Sequence, residues 1–184
     1  MIDDKNKIII SGLWDTLKRY DSYIATVNFK SGLITSLNIA IFGAVILKAK
    51  DIIDQHPDTK VAIAIALFLI SALSAISIIW VIKSISPKLT AKKLTQTSED
   101  SIFFFGSVSK NLTPEHYTIK VNNYSPEKFQ NDLANQVYEV ANILQLKFNL
   151  IKVASNITKL NLLIMIALSA CLFFSNIGAE PCLH

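Results

Sequence analysis

The sequence predicts an all-α membrane protein, with three transmembrane helices, long helical cytoplasmic extensions and a small cytoplasmic region of loop and helix. Three observations predict this class. Hydrophobic residues make up 51% of the 184-residue chain and charged residues only 17%, against about 25% charge in an average soluble domain. The charges leave three long stretches untouched. Only 5 Gly and 5 Pro punctuate the chain, too few for a turn-rich β architecture.

Between Lys30 and Lys48 lie 17 uncharged residues, between Lys60 and Lys83 lie 22, and between Lys159 and Glu180 lie 20. About 20 residues of helix cross about 30 Å of hydrocarbon, so residues 31–48, 61–83 and 159–177 are assigned as spans. The run Ile8-Ile9-Ile10 is too short for the apolar region of a cleaved signal peptide. Positive charge then sets the direction. Five Lys/Arg precede the first span, counting Lys30, and ten lysines lie from Lys83 to Lys159. The connector from Lys48 to Lys60 holds three, matched by Asp51, Asp54 and Asp58, and the chain after Asn176 holds none. Positive-inside bias places residues 1–30 and 84–158 in the cytoplasm, with the connector 49–60 and the tail 178–184 outside.

The cytoplasmic arms read as helices continuous with the spans. Trp14, Leu17, Tyr20, Tyr23, Ile24 and Val27 recur at three- and four-residue steps in an amphipathic segment that runs into the first span. Ser125-Pro126-Glu127 supplies an N-cap and a proline at the first helical position. The stripe Phe129, Leu133, Val137, Val140, Leu144, Phe148 and Ile151 follows, and no Pro or Gly occurs before Gly178. The least helical stretch is 85–124. It holds Pro87, a lysine cluster (Lys88, Lys92, Lys93), Ser98-Glu99-Asp100 and the apolar block Ile102-Phe103-Phe104-Phe105-Gly106. A short helix capped by Thr113 with Pro114 behind it is expected next.

No catalytic constellation is present: no Gly-rich phosphate loop, nucleophile elbow or paired metal-binding histidines. His56, His116 and His184 fall in separate regions, and Cys171 and Cys182 make neither a disulfide framework nor a metal site. Neither a metal nor a cofactor is expected. Arg19 is the only arginine, which argues against a nucleic acid polymer as partner, because tight phosphate and base readout lean on arginine forks. Lysine serves equally well against a lipid bilayer. The spans carry small residues at helical spacing: Gly32, Ser36, Ala40 and Gly43 in the first, and Ser71, Ser74 and Ser77 in the second. Small residues let helices approach closely in lipid. They serve either packing within one subunit or a homo-oligomer. Asn38, in mid-span, requires a buried contact in both cases. The aromatic block 103–106 is either a core plug or a stacking platform for a flat ligand such as a nucleobase.

Asn28-Phe29-Lys30-Ser31-Gly32, Phe104-Phe105-Gly106-Ser107-Val108-Ser109, Thr113-Pro114-Glu115-His116-Tyr117 and the arm from Gln136 to Phe148 carry a resemblance. Over residues 15–175 the chain resembles the transmembrane effector family of the Pycsar anti-phage system. It differs in Asn28, where the family often has Asp two residues before the lysine, and in Phe148, where Tyr is more usual. The resemblance implies a bacterial inner-membrane effector of abortive infection, whose partner messenger is a cyclic pyrimidine mononucleotide (cUMP or cCMP). Lys30, Phe104, Phe105, Gly106, Tyr117 and Lys147 are then the candidate ligand residues. The alternative is a non-enzymatic membrane-anchored adaptor whose cytoplasmic helices recruit a protein partner. A small transporter subunit is disfavoured by spans that carry no charge.

Overall fold

A computed structural model describes residues 2–86 and 101–178. The lysine cluster at 88–93, Ser98-Glu99-Asp100 and the tail beyond Gly178, with Cys182 and His184, lie outside the described residues. The described residues form five helices: α1 (Ile2–Asp54), α2 (Lys60–Ile85), α3 (Phe105–Asn111), α4 (Pro114–Asn122) and α5 (Pro126–Gly178). No strand occurs among them. Helices α1, α2 and α5 are each long and apolar enough to cross a membrane. The expected architecture of three spans with helical extensions is present.

Local chemistry sets the boundaries. Thr113 Oγ1 accepts from the His116 N–H at 3.4 Å and Pro114 follows, which starts α4. Ser125 Oγ accepts from Lys128 N–H at 3.3 Å ahead of α5. Both starts follow the sequence signals. Helix α3 was not anticipated; it begins inside the aromatic block, with the Phe104 carbonyl accepting from Ser107 and Val108.

The described residues divide into two compact units, one of residues 2–26 with 101–147 and one of residues 27–86 with 148–178. Helices α1 and α5 contribute to both. In the second unit the surface is apolar and the interior mixes polar with apolar side chains. Its outer surface carries Phe29, Leu37, Ile46, Phe68, Ile79 and Leu163, all exposed. Its interior holds Asn38, Ser74, Ser77, Thr158 and Asn161, all buried. Apolar outside and hydrogen-bonded polar inside is the arrangement that suits hydrocarbon, since lipid solvates Leu and Phe while an amide needs a partner.

Candidate functional site

The polar interior of the second unit is built from three helices. Asn38 Nδ2 on α1 donates to Thr158 Oγ1 on α5 at 2.9 Å, to Ser77 Oγ on α2 at 3.4 Å, and to its own helix at the Ile34 carbonyl at 2.8 Å. The Ser77 and Thr158 hydroxyls are 2.8 Å apart, and both donate to the Ala154 carbonyl, at 3.1 and 3.0 Å. One turn away, Asn161 Nδ2 donates to Ser74 Oγ at 2.7 Å. Ser74 and Ser77 on α2 thus meet Asn161 and Thr158 on α5, two antiparallel pairs with the same three-residue spacing. An apolar cluster of Val27, Val81, Ile151 and Ala154, flanked by Ile34 and Trp80, closes one end. The network leaves Asn38 Oδ1, Asn161 Oδ1 and Ser31 Oγ buried without a hydrogen-bond partner among the described residues.

The small residues singled out from sequence divide between two faces. Asn38 and Ser74 point inward, and Ser71 is half-buried. Gly32, Ser36 and Ala40 are exposed and Gly43 is half-buried. A Cβ at Gly32 or Gly43 would meet nothing within 4 Å. Lys30 lines a cavity of about 510 Å³ with Leu33, Ile34, Phe148, Lys152 and Ser155. It is amphipathic, with two ammonium groups over an apolar wall.

In the first unit the aromatic block is fastened to α5. Ser101 Oγ accepts from the backbone N–H groups of Phe103 and Phe104 at 3.1 and 3.0 Å, and from Gln136 Nε2 at 3.4 Å. The buried Asp132 carboxylate accepts from the Ile102 N–H at 2.9 Å and from the Tyr124 hydroxyl at 3.3 Å. Phe103 packs edge-on against Trp14, at 5.7 Å between centroids, and Phe129, at 4.9 Å. Such pairs are worth about 0.5–1.5 kcal/mol beyond their buried area. Phe103 is therefore the core plug.

Four of the candidate ligand residues lie in this segment or contact it. The Tyr117 hydroxyl donates to the Ile102 carbonyl at 3.3 Å. The Phe104 ring covers Gly106 so closely that a Cβ there would lie 2.6 Å from Phe104 Cε1. Phe105 opens α3. Lys147 belongs to the same unit and is buried, at 7% exposure. Lys30 belongs to the other unit. Sequence reasoning missed Ser101, Asp132, Thr158 and Asn161 as organising residues. Signals for them existed: Asp132 directly precedes Leu133 of the apolar stripe, and Thr158/Asn161 repeats the spacing of Ser74/Ser77.

Burial pushes the Lys147 ammonium below the ordinary lysine range, by desolvation. Between that lowered value and the ordinary lysine pKa the unfolded chain binds more protons than the folded one, so stability rises with pH across that window. Melting curves from neutral pH to the ordinary lysine pKa should show this rise, and Lys147→Met should flatten it.

A family model described as the Pycsar effector protein domain matches residues 12–175. The Pycsar effector protein EcPycTM of Escherichia coli is similar as well, 30% identical over 150 residues that cover 79% of this chain and 80% of that protein. No solved structure matches the chain.

Proposed function

The chain belongs to the Pycsar effector family, and from that premise we propose that it answers a cyclic pyrimidine mononucleotide (cUMP or cCMP) by impairing the bacterial inner membrane. It is a membrane protein of anti-phage defence, and its proposed outcome is abortive infection. No enzymatic step is needed. The effect is exerted by the three-helix unit itself, with the N-terminus in the cytoplasm and the C-terminus outside, and with copies of the chain acting together. The observation that carries this reading is the three-helix unit with an apolar surface and a hydrogen-bonded polar layer buried within it. A polar interior with three unmet hydrogen-bonding groups is costly in lipid, and such a bundle is less committed to one closed packing than an apolar one.

The segment 101–107 with Tyr117 is proposed to receive the base. Phe104 and Phe105 supply rings for stacking, worth about 1–3 kcal/mol per base. Lys147 supplies positive charge toward the phosphate. A messenger can shift the protein only through a difference in affinity between resting and active states. Burying an anion beside Lys147 supplies one, because it offsets the desolvation of that ammonium group. Gly106→Ala tests the aromatic part. Its Cβ must displace the Phe104 ring, at about 0.5–1.5 kcal/mol for the off-rotamer ring. Nucleotide affinity should fall further than melting temperature does.

The test of the function is in cells. Bacteria producing this chain should lose membrane potential, read by a voltage-sensitive dye, when a pyrimidine cyclase is induced. They should not lose it with an inactive cyclase. A membrane potential that holds while the cyclase is active would support the adaptor reading instead.

A further inference from the structure

On α5 the exposed residues Asn149, Lys152, Asn156 and Lys159 recur at steps of three, four and three, and so share one face of the helix. Beyond Lys159 the same face turns apolar, with Leu163 and Ile166 exposed. The depth of Lys159 follows from its neighbour. Thr158 is hydrogen-bonded to Asn38 across an offset of 120 residues, so Lys159 lies level with Ile39 of α1. Ile39 is nine residues past Lys30, about 13 Å further along the helix at 1.5 Å per residue. With α1 entering the bilayer after Lys30, α5 enters it near Leu150, and not at Lys159, where the sequence alone places the entry. Helix α5 runs parallel to α1 there, since Lys30 and Lys152 line one cavity and Asn38 and Thr158 meet one level on. A lysine on α5 leans back toward the Lys30 end, but its stem covers only about half that distance.

An ammonium group at that depth on a lipid-facing surface is unfavourable; intramembrane cations line water or find a partner. No carboxylate is available, because residues 31–47, 61–82 and 160–179 contain no Asp or Glu. The interior of one copy offers no continuous lumen: a cavity of about 410 Å³ between Ala40, Ala44, Leu67 and Leu168 is closed off at one end by the Asn38, Ser77 and Thr158 network. Water must therefore be held between copies. The outward face of α1 allows copies to approach, since Gly32, Ser36 and Ala40 are exposed there and Gly32 has open space over its Cα.

We propose that the Asn149, Lys152, Asn156 and Lys159 face of α5 lines a water-filled pathway enclosed by several copies of this chain, and that the pathway passes small anions in preference to cations. The proposal rests on the membrane-impairing function above and names what the impaired membrane lets through. Rings of lysine favour anions by lowering their energy in the pore relative to cations. The cavity bearing Lys30 and Lys152 forms the mouth, where positive charge between low-dielectric walls concentrates anions.

The experiment is a reversal-potential measurement on the full chain in planar bilayers under a potassium chloride gradient, activated by cUMP or cCMP. Chloride permeability should exceed potassium permeability several-fold. Lys159→Glu should abolish or invert that ratio, and Lys159→Arg should keep it. Because Lys159 is exposed, both variants should melt like the parent in detergent, which separates selectivity from misfolding. A current that is unselective or favours potassium, or a ratio indifferent to Lys159→Glu, overturns this proposal and leaves the membrane-impairing function standing. Absence of any current with either nucleotide overturns both.

Discussion

Asp132→Ala is expected to release the segment 101–107 from α5 and to lower the stability of the unit containing residues 101–147. The Asp132 carboxylate is the shared acceptor for the Ile102 N–H and the Tyr124 hydroxyl. Ile102 is itself buried, at 4% exposure. Alanine leaves its N–H without a partner away from water, a cost of about 1–3 kcal/mol, and removes the tie to Tyr124 as well. The total should reach about 2–4 kcal/mol. Asp132→Asn retains a carbonyl oxygen for one donor and should lose about half as much. Chemical unfolding in detergent, followed by Trp14 fluorescence, reports this directly, since Trp14 packs on Phe103 of the same segment. If Asp132→Ala unfolds at the parent's denaturant concentration, the carboxylate does not hold the segment.

Asn38→Leu should weaken the three-helix unit by about 0.6–2 kcal/mol, the span of values for interhelical hydrogen bonds in a membrane. The sign follows from the reference state. Helices separated in lipid keep the bond from Asn38 to the Ile34 carbonyl, but only the assembled unit provides Thr158 and Ser77. Leucine forgoes both and adds branched bulk to a fully buried position. Ser36→Leu, on the exposed face two residues earlier, should leave the melting of one subunit unchanged while weakening association between copies. Thermal melting in detergent measures the first effect, and crosslinking in native membranes the second. Equal loss of subunit stability from both substitutions would contradict the assignment of faces.

The spans were legible because charge is a strong signal: uncharged runs of 17 to 22 residues between lysines leave little choice of element in a chain this poor in Gly and Pro. The starts of α4 and α5 were legible because Thr113-Pro114 and Ser125-Pro126 have one local meaning, the satisfaction of free N–H groups at a helix start. Pairing between distant residues was not. Asn38 announced that it needed a partner, yet its partner Thr158 stands 120 residues away, just ahead of a lysine that looked like the end of a span. Periodicity identifies a face and is silent on what the face meets. The same limit hid Asp132, whose acceptor role depends on a loop 30 residues earlier in the chain. It also left open which way Gly32, Ser36 and Ala40 point. The aromatic block illustrates a finer division: of three adjacent Phe residues, Phe103 is held between Trp14 and Phe129, while Phe104 lies over Gly106.

The proposed function requires that a cyclic pyrimidine mononucleotide, acting on this chain alone, make a membrane leak. Purified protein in sealed liposomes loaded with a self-quenching dye tests it most directly. Release on adding cUMP or cCMP, with none on adding a cyclic purine mononucleotide and none from protein-free vesicles, is the predicted result. Vesicles that stay sealed with every cyclic mononucleotide, while the reconstituted protein is shown to be folded, would contradict it.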